Sequence, residues 1–121
     1  MSDNETDIIT IPVRLKSLNQ TLREHWAVRK RTKQEYALLI RNQMRRKKIA
    51  FAKQKKYKLL ILSYRKKKLD VDNLYGGSCK SLIDALIGEQ FIFDDNPDYI
   101  DLVVEQHIAK EYQTIIIRKK T

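Results

Sequence analysis

The chain has little of what many functional classes need. Among 121 residues there is one cysteine, Cys79. That excludes an intramolecular disulfide framework and a multi-cysteine zinc site, and it fits a reducing cytoplasm. Only 3 glycines and 2 prolines are present, with no low-complexity tract, so disorder is expected only at the ends, chiefly residues 1–6. No apolar run approaches the roughly 20 residues of a membrane span. Met1 to Glu5 is acidic and polar, unlike a secretory signal. The two histidines, His25 and His107, have no partner at metal-ligand spacing, and His107 sits in a strand pattern that suggests a structural role. No Ser-His-Asp or Cys-His arrangement is evident.

Two glycine- or aspartate-based motifs also fail. Read from Asp70, an EF-hand loop meets Leu74, Tyr75 and Ser81 where it needs Asp or Asn, Gly and Glu. A P-loop needs Gly before Lys-Ser, and here Cys79 precedes Lys80-Ser81. Gly76-Gly77 before a helix start reads either as a phosphate-binding turn or as a tight turn with positive φ.

What is abundant is positive charge. The net charge is +10, which points to nucleic acid or an anionic surface. Residues 36–69 hold thirteen Lys/Arg and no acid; residues 70–111 hold ten Asp/Glu and only Lys80 and Lys110. A membrane-surface role fits least, because the basic stretch is not a continuous helix with a broad apolar face.

The pattern predicts one small α/β (α+β) domain spanning 1–121, a mixed sheet with two main helices in the order β-α-β-α-β-β. Residues 8–15 read as an edge strand because of Pro12. Residues 17–31 read as irregular. A helix is expected over about 33–52, capped by Thr32 with Glu35, its apolar stripe Tyr36, Leu39, Ile40, Met44 and Phe51. Tyr57 to Tyr64 reads as a buried strand. Ser78 opens a second helix that stops at Gly88 as a left-handed cap. Strands are expected over Tyr99 to Ala109 and Thr114 to Arg118, joined by a hairpin turn at Lys110-Glu111-Tyr112.

Asp70 and Asp72 stand at the end of the basic run Arg65-Lys66-Lys67-Lys68. On an extended segment both carboxylates point to one face, about 7 Å apart. Such a pair raises its own pKa values unless a cation lies between, and a hard ion, Mg²⁺ or Mn²⁺, removes that cost. Asp94 and Asp95 follow the second helix. If the flanking strands are neighbours, all four converge at one end of the sheet. Carboxylates around Mg²⁺ beside a basic surface suit phosphodiester cleavage, and Lys80 then supplies positive charge to the reacting phosphate. Solvated turns explain each acidic pair taken alone. The basic residues Arg45, Arg46, Lys47 and Lys48, and Arg65 to Lys68, read as phosphate contacts or as solvated faces. Trp26 and Tyr75 read as base-stacking residues or as core.

Asp70-Val71-Asp72-Asn73-Leu74, then Lys80, Asp84-Ala85-Leu86 and Asp94-Asp95 resemble the signature of the RusA family of Holliday junction resolvases. Ser17-Leu18-Asn19 with Arg23, His25 and Trp26 is similar as well. The resemblance covers nearly the whole chain, with its specific part in residues 69–95. It implies a RusA-like fold and a homodimeric, Mg²⁺-dependent endonuclease with no small-molecule cofactor, acting on four-way DNA junctions in recombination and repair. It implies a bacterial, phage or prophage cytoplasmic setting. Asp70, Asp72 and Asp95 are then metal ligands, with Asp94 a weaker one, and Lys80 is catalytic. Asn73 and Arg23 join the DNA contacts. The link Tyr75 to Cys79 is longer than in the family's best-known pattern, which bears on where Lys80 sits. Two other readings stay open: a related flap or fork nuclease in phage DNA processing, and a basic nucleic-acid-binding protein without catalysis.

Overall fold

A computed structural model describes residues 6–69 and 78–121. It is a single α+β unit: β1 (Thr6–Ile11), α1 (Leu18–Arg23), α2 (Trp26–Lys47), β2 (Tyr57–Arg65), α3 (Ser78–Gly88), β3 (Ile100–Ile108) and β4 (Gln113–Lys120). The four strands form one mixed sheet in the order β1-β4-β2-β3. β1 is an edge, as Pro12 just beyond it suggested. β2 is central and apolar, paired antiparallel to β4 and parallel to β3.

Several expectations are corrected. The long helix starts at Trp26, not near 33. His25 caps it, its Nδ1 accepting from the Ala27 N–H at 3.2 Å. Thr32 lies inside the helix, where its hydroxyl donates to the Val28 carbonyl and accepts from Lys16 Nζ. Ser17 caps the short helix ahead of it by accepting the Gln20 N–H. The stretch 17–31 is therefore mostly helical. Phe51 lies beyond the helix and is exposed. Thr6, grouped with the expected disorder, pairs with Lys119.

The hairpin is absent as well. β4 does not pair with β3; it crosses the end of β2 and inserts between β1 and β2. Gly88 ends α3 as a helical residue, and the left-handed position falls on Gln90, φ 64°. The Phe91 N–H closes that end on the Leu86 carbonyl. Helix α2 ends similarly, with Lys48 at φ 54° and the Ile49 N–H on the Met44 carbonyl.

Both main helices cover one face of the sheet. From α2 the stripe Tyr36, Ile40 and Met44 enters the core; from α3 come Leu82, Ala85 and Leu86. They meet Ile9, Ile116, Leu59 and Ile61 from the sheet. At the start of β2, Arg118 is buried in the core. It pairs with Asp7, donates to the Phe91 and Ala50 carbonyls, and lies over the Phe91 ring. A buried cation with this many partners ties β4, β1 and the loop after α2 together.

Candidate nucleic-acid and metal site

On the covered face β2 itself is apolar from Tyr57 to Ile61 and polar at its end. Ser63, Arg65 and Thr114 are all buried there. Thr114 and Arg65 hold neighbouring backbone, and Ser63 accepts from Arg65. Thr114 Oγ1 donates to the Val13 carbonyl at 2.9 Å. Arg65 Nη1 donates to the Leu15 carbonyl at 2.9 Å and to Ser63 Oγ at 3.3 Å, and its Nε donates to the Lys67 carbonyl at 3.0 Å. Gln106, beside Ser63 in the register, grips Leu69 through both main-chain groups, at 2.7 and 2.8 Å. This polar layer fixes how the chain leaves the sheet just before Asp70.

Arg65 is therefore not a surface phosphate contact as the sequence suggested. It is 4% exposed, and its guanidinium is committed to carbonyls. Burial, with Arg14 nearby, lowers its pKa from the ordinary arginine value. No carboxylate bonds it among the described residues. Lys66, Lys67 and Lys68 are exposed just beyond it. Lys66 Nζ and the Arg14 guanidinium both lie over the Tyr112 ring, at 5.4 and 5.2 Å. Arg14, Tyr112 and Gln106 escaped the sequence reading. Gln106 had a signal: it is the polar interruption in the otherwise apolar phase Ile100, Leu102, Val104, Ile108.

Asp70, Asp72 and Asn73 lie outside the described residues, as do Tyr75, Gly76 and Gly77. Lys80 is exposed in the first turn of α3, one turn before the half-buried Asp84. The two later aspartates differ. Asp94 accepts the Asp95 N–H at 2.7 Å and the Asn96 amide at 3.3 Å, so it shapes the turn. The Asp95 carboxylate is exposed and makes no hydrogen bond among the described residues. As a hard oxygen donor free to bind, it suits Mg²⁺ or Mn²⁺. The described residues contain no cluster of three or more acidic, histidine or cysteine side chains.

One geometric relation qualifies convergence. β2 and β3 are neighbours, but they run parallel. The segment after β2 therefore departs at one end of this pair, while Asp94-Asp95 precede β3 at the other. Leu69 is held at Gln106, six residues into β3 from Ile100, roughly 20 Å along the strand. A shared cation therefore requires the chain after Leu69 to run back toward the start of β3. Three extended residues span about 10 Å.

The solvent side of α2 carries Arg45, Arg46, Lys47 and Lys48, all exposed. Lys47 Nζ donates to the Ile8 carbonyl at 2.7 Å, and Arg41 is held by Glu89 through a double contact at 2.8 and 2.9 Å. Arg23 is exposed at the end of α1, donating to the Asn19 carbonyl. Trp26 is 62% exposed with its ring beside His25, so it is not core. Cys79 is buried, and burial pushes its thiol up to about 12, an inert position. No helix is long and apolar enough to cross a membrane among the described residues.

The chain matches none of the protein-family models, and no curated protein matches it.

Proposed function

We propose that the protein is a RusA-like, Mg²⁺-dependent endonuclease that cuts branched DNA, with four-way junctions as substrate and two copies placing paired nicks. The observation that carries this reading is the polar layer at the end of β2, the buried Ser63, Arg65 and Thr114 with the half-buried Gln106 beside them. It anchors a basic, exposed segment and presents the chain directly before Asp70-Val71-Asp72-Asn73-Leu74. A plain solvated turn needs no such anchoring. The separate behaviour of Asp95 and Asp94 adds support: among the described residues one carboxylate has no partner and the other is spent on its own turn.

In this reading Asp70 and Asp72 hold the ion, and Asp95 joins them provided that the chain after Leu69 runs back toward the start of β3. When bound, Mg²⁺ polarises the scissile phosphate and activates water. Lys80 places positive charge beside the reacting phosphate. Lys66, Lys67, Lys68 and the exposed face of α2 neutralise the DNA backbone. A bacterial or phage cytoplasm is the matching setting.

The placement of Leu69 and Asp95 toward opposite ends of β3 favours a second reading, a basic DNA-binding protein without catalysis. The experiment that separates the two is incubation with a synthetic four-way junction in Mg²⁺, beside linear duplex and fork controls. Paired symmetric nicks on the junction alone are expected. Binding without cleavage in Mg²⁺ or Mn²⁺ contradicts the nuclease.

A further inference from the structure

The loop after α2 leaves an aromatic ring in solvent between two anchored residues. The Arg118 guanidinium donates to the Ala50 carbonyl at 3.0 Å, and the Ala52 N–H donates to the Gln90 carbonyl at 2.6 Å. Phe51 lies between them, 63% exposed. A lone apolar side chain at a surface is ordinary. Here the backbone on both sides of the ring is clamped, and the ring is still not packed away. An aromatic surface fixed in this way is pre-organised for a ligand.

Phe51 lines an open cleft of about 340 Å³ between the end of α2 and the end of α3. That size falls among the roughly 300–1,000 Å³ of small-ligand pockets. The rest of its apolar lining is the buried Met44 and the half-buried Ile49. Its cations are Arg41, Arg45 and Lys48, all exposed. Glu89 is the one acid in the lining, and it is spent on Arg41 through the double contact at 2.8 and 2.9 Å. The Arg41 hydrogen bond keeps Glu89 below the ordinary carboxylate range. These two charges cancel, which leaves those of Arg45 and Lys48. Neither of these side chains has an ion-pair partner among the described residues. Basic residues in the last turn of a helix also offset its dipole. The dipole accounts neither for Phe51 nor for the cleft.

We propose that this cleft holds one unpaired nucleotide of a DNA strand. Its base stacks on the Phe51 ring against Met44 and Ile49, and Arg45 and Lys48 take its phosphate. An apolar peptide would use the ring and leave both cations unmatched; a nucleotide uses both halves of the lining. Since Glu89 is committed to Arg41, the cleft offers a stacking face and little readout of base edges, so base identity is expected to matter little. The Ala52–Gln90 bond ties the cleft to the segment that leads into Asp94-Asp95. A nucleotide enters such a cleft only when it leaves the helical stack. Branch points and single-stranded tails supply one readily, and intact duplex does not.

The inference rests on the DNA-binding part of the proposed function and not on cleavage. The test is fluorescence anisotropy with a labelled duplex, either blunt or carrying a short dT tail, together with a tail that contains 2-aminopurine. Wild type is expected to bind the tailed duplex about tenfold more tightly than the blunt one and to quench the 2-aminopurine. Phe51→Ala is expected to lose the tail advantage and the quenching, with blunt-duplex binding unchanged. Phe51→Tyr is expected to keep both, because its ring still stacks. Arg45→Gln is expected to weaken the tailed duplex more than the blunt one. The Phe51 side chain is exposed, so its variants are expected to keep the wild-type far-UV circular dichroism. Free thymidine monophosphate at micromolar concentration is expected to leave the quenching in place; if it abolishes the quenching, the cleft belongs to free nucleotides and the strand assignment is overturned. A tailed duplex bound no more tightly than the blunt one, or a Phe51→Ala variant that keeps the tail advantage, overturns the proposal. Protein that binds neither duplex overturns it together with the DNA reading. Junction cleavage without a tail advantage removes only this inference, and a tail advantage in a protein that never cuts removes only the nuclease.

Discussion

Gln106 and Leu69 are joined by two hydrogen bonds, Leu69 N–H to Gln106 Oε1 at 2.7 Å and Gln106 Nε2 to the Leu69 carbonyl at 2.8 Å. A side-chain amide here does what a neighbouring strand's backbone would do. It fixes the residue before Asp70 against β3. Gln106→Ala leaves both Leu69 groups without their protein partner, at about 1–3 kcal/mol. The expected result is a modest fall in melting temperature. Junction cleavage is expected to fall well beyond the loss of junction binding, because the segment proposed to hold the metal loses its anchor while the basic surface is intact. Thermal unfolding and single-turnover cleavage on one preparation check both parts.

Arg65 and its lysine neighbours are expected to separate cleanly. Arg65→Met removes a buried, carbonyl-bound guanidinium and lowers stability by about 1–3 kcal/mol, read by urea unfolding. Lys66→Ala or Lys68→Ala leaves stability within about 0.5 kcal/mol and weakens junction binding. Equal stability losses at Arg65 and Lys68 contradict this division.

On α2, Arg46→Ala is expected to reduce the salt dependence of DNA binding by about one unit of log–log slope, with no change in stability. Lys47→Ala is expected to reduce the slope less, because its ammonium is tied to the Ile8 carbonyl. Fluorescence anisotropy of a labelled junction over a salt series measures both.

Burial holds the Cys79 thiol protonated, raising its pKa from an ordinary 9.0 to about 12. The folded state therefore keeps a proton that the unfolded state loses. This contribution is complete below pH 9 and is lost as pH rises from about 9 toward 12. Cys79→Ala is expected to lose stability from the emptied volume but to show a flatter decline above pH 9. Denaturant unfolding from pH 8 to 11 reads the slope. Thiol reagents are expected to react with Cys79 only on unfolding.

Much of the fold was legible in the chain. The alternating or apolar runs of β2, β3 and β4 and the stripe of α3 stand out because burial on one face imposes a period. The α2 start was not legible. A capping box at Thr32 and Glu35 outweighed an unusual histidine cap, and only the tertiary position of Lys16 explains what Thr32 does instead. The hairpin misreading has a similar cause. A short link between two strands looks local, but β2 is apolar enough to need partners on both sides, and β4 supplies the second. Of the candidate site, Asp95 was picked out by its spacing, and the structure adds that its side chain is exposed. Arg65 was misread because a basic run gives no sign of which member turns inward. Parallel pairing of β2 with β3, which decides where the two acidic segments lie, is a property of topology that spacing along the chain does not carry.

The most direct test compares Asp95→Asn with Asp94→Asn in cleavage and binding of a four-way junction in Mg²⁺. The account predicts that Asp95→Asn abolishes cleavage and keeps or strengthens binding, since it removes a free carboxylate near phosphate. Asp94→Asn keeps much of the activity, because an asparagine still accepts the Asp95 N–H. Wild-type protein that binds the junction and never cuts it, or an Asp95→Asn variant that cuts as fast as wild type, contradicts the account.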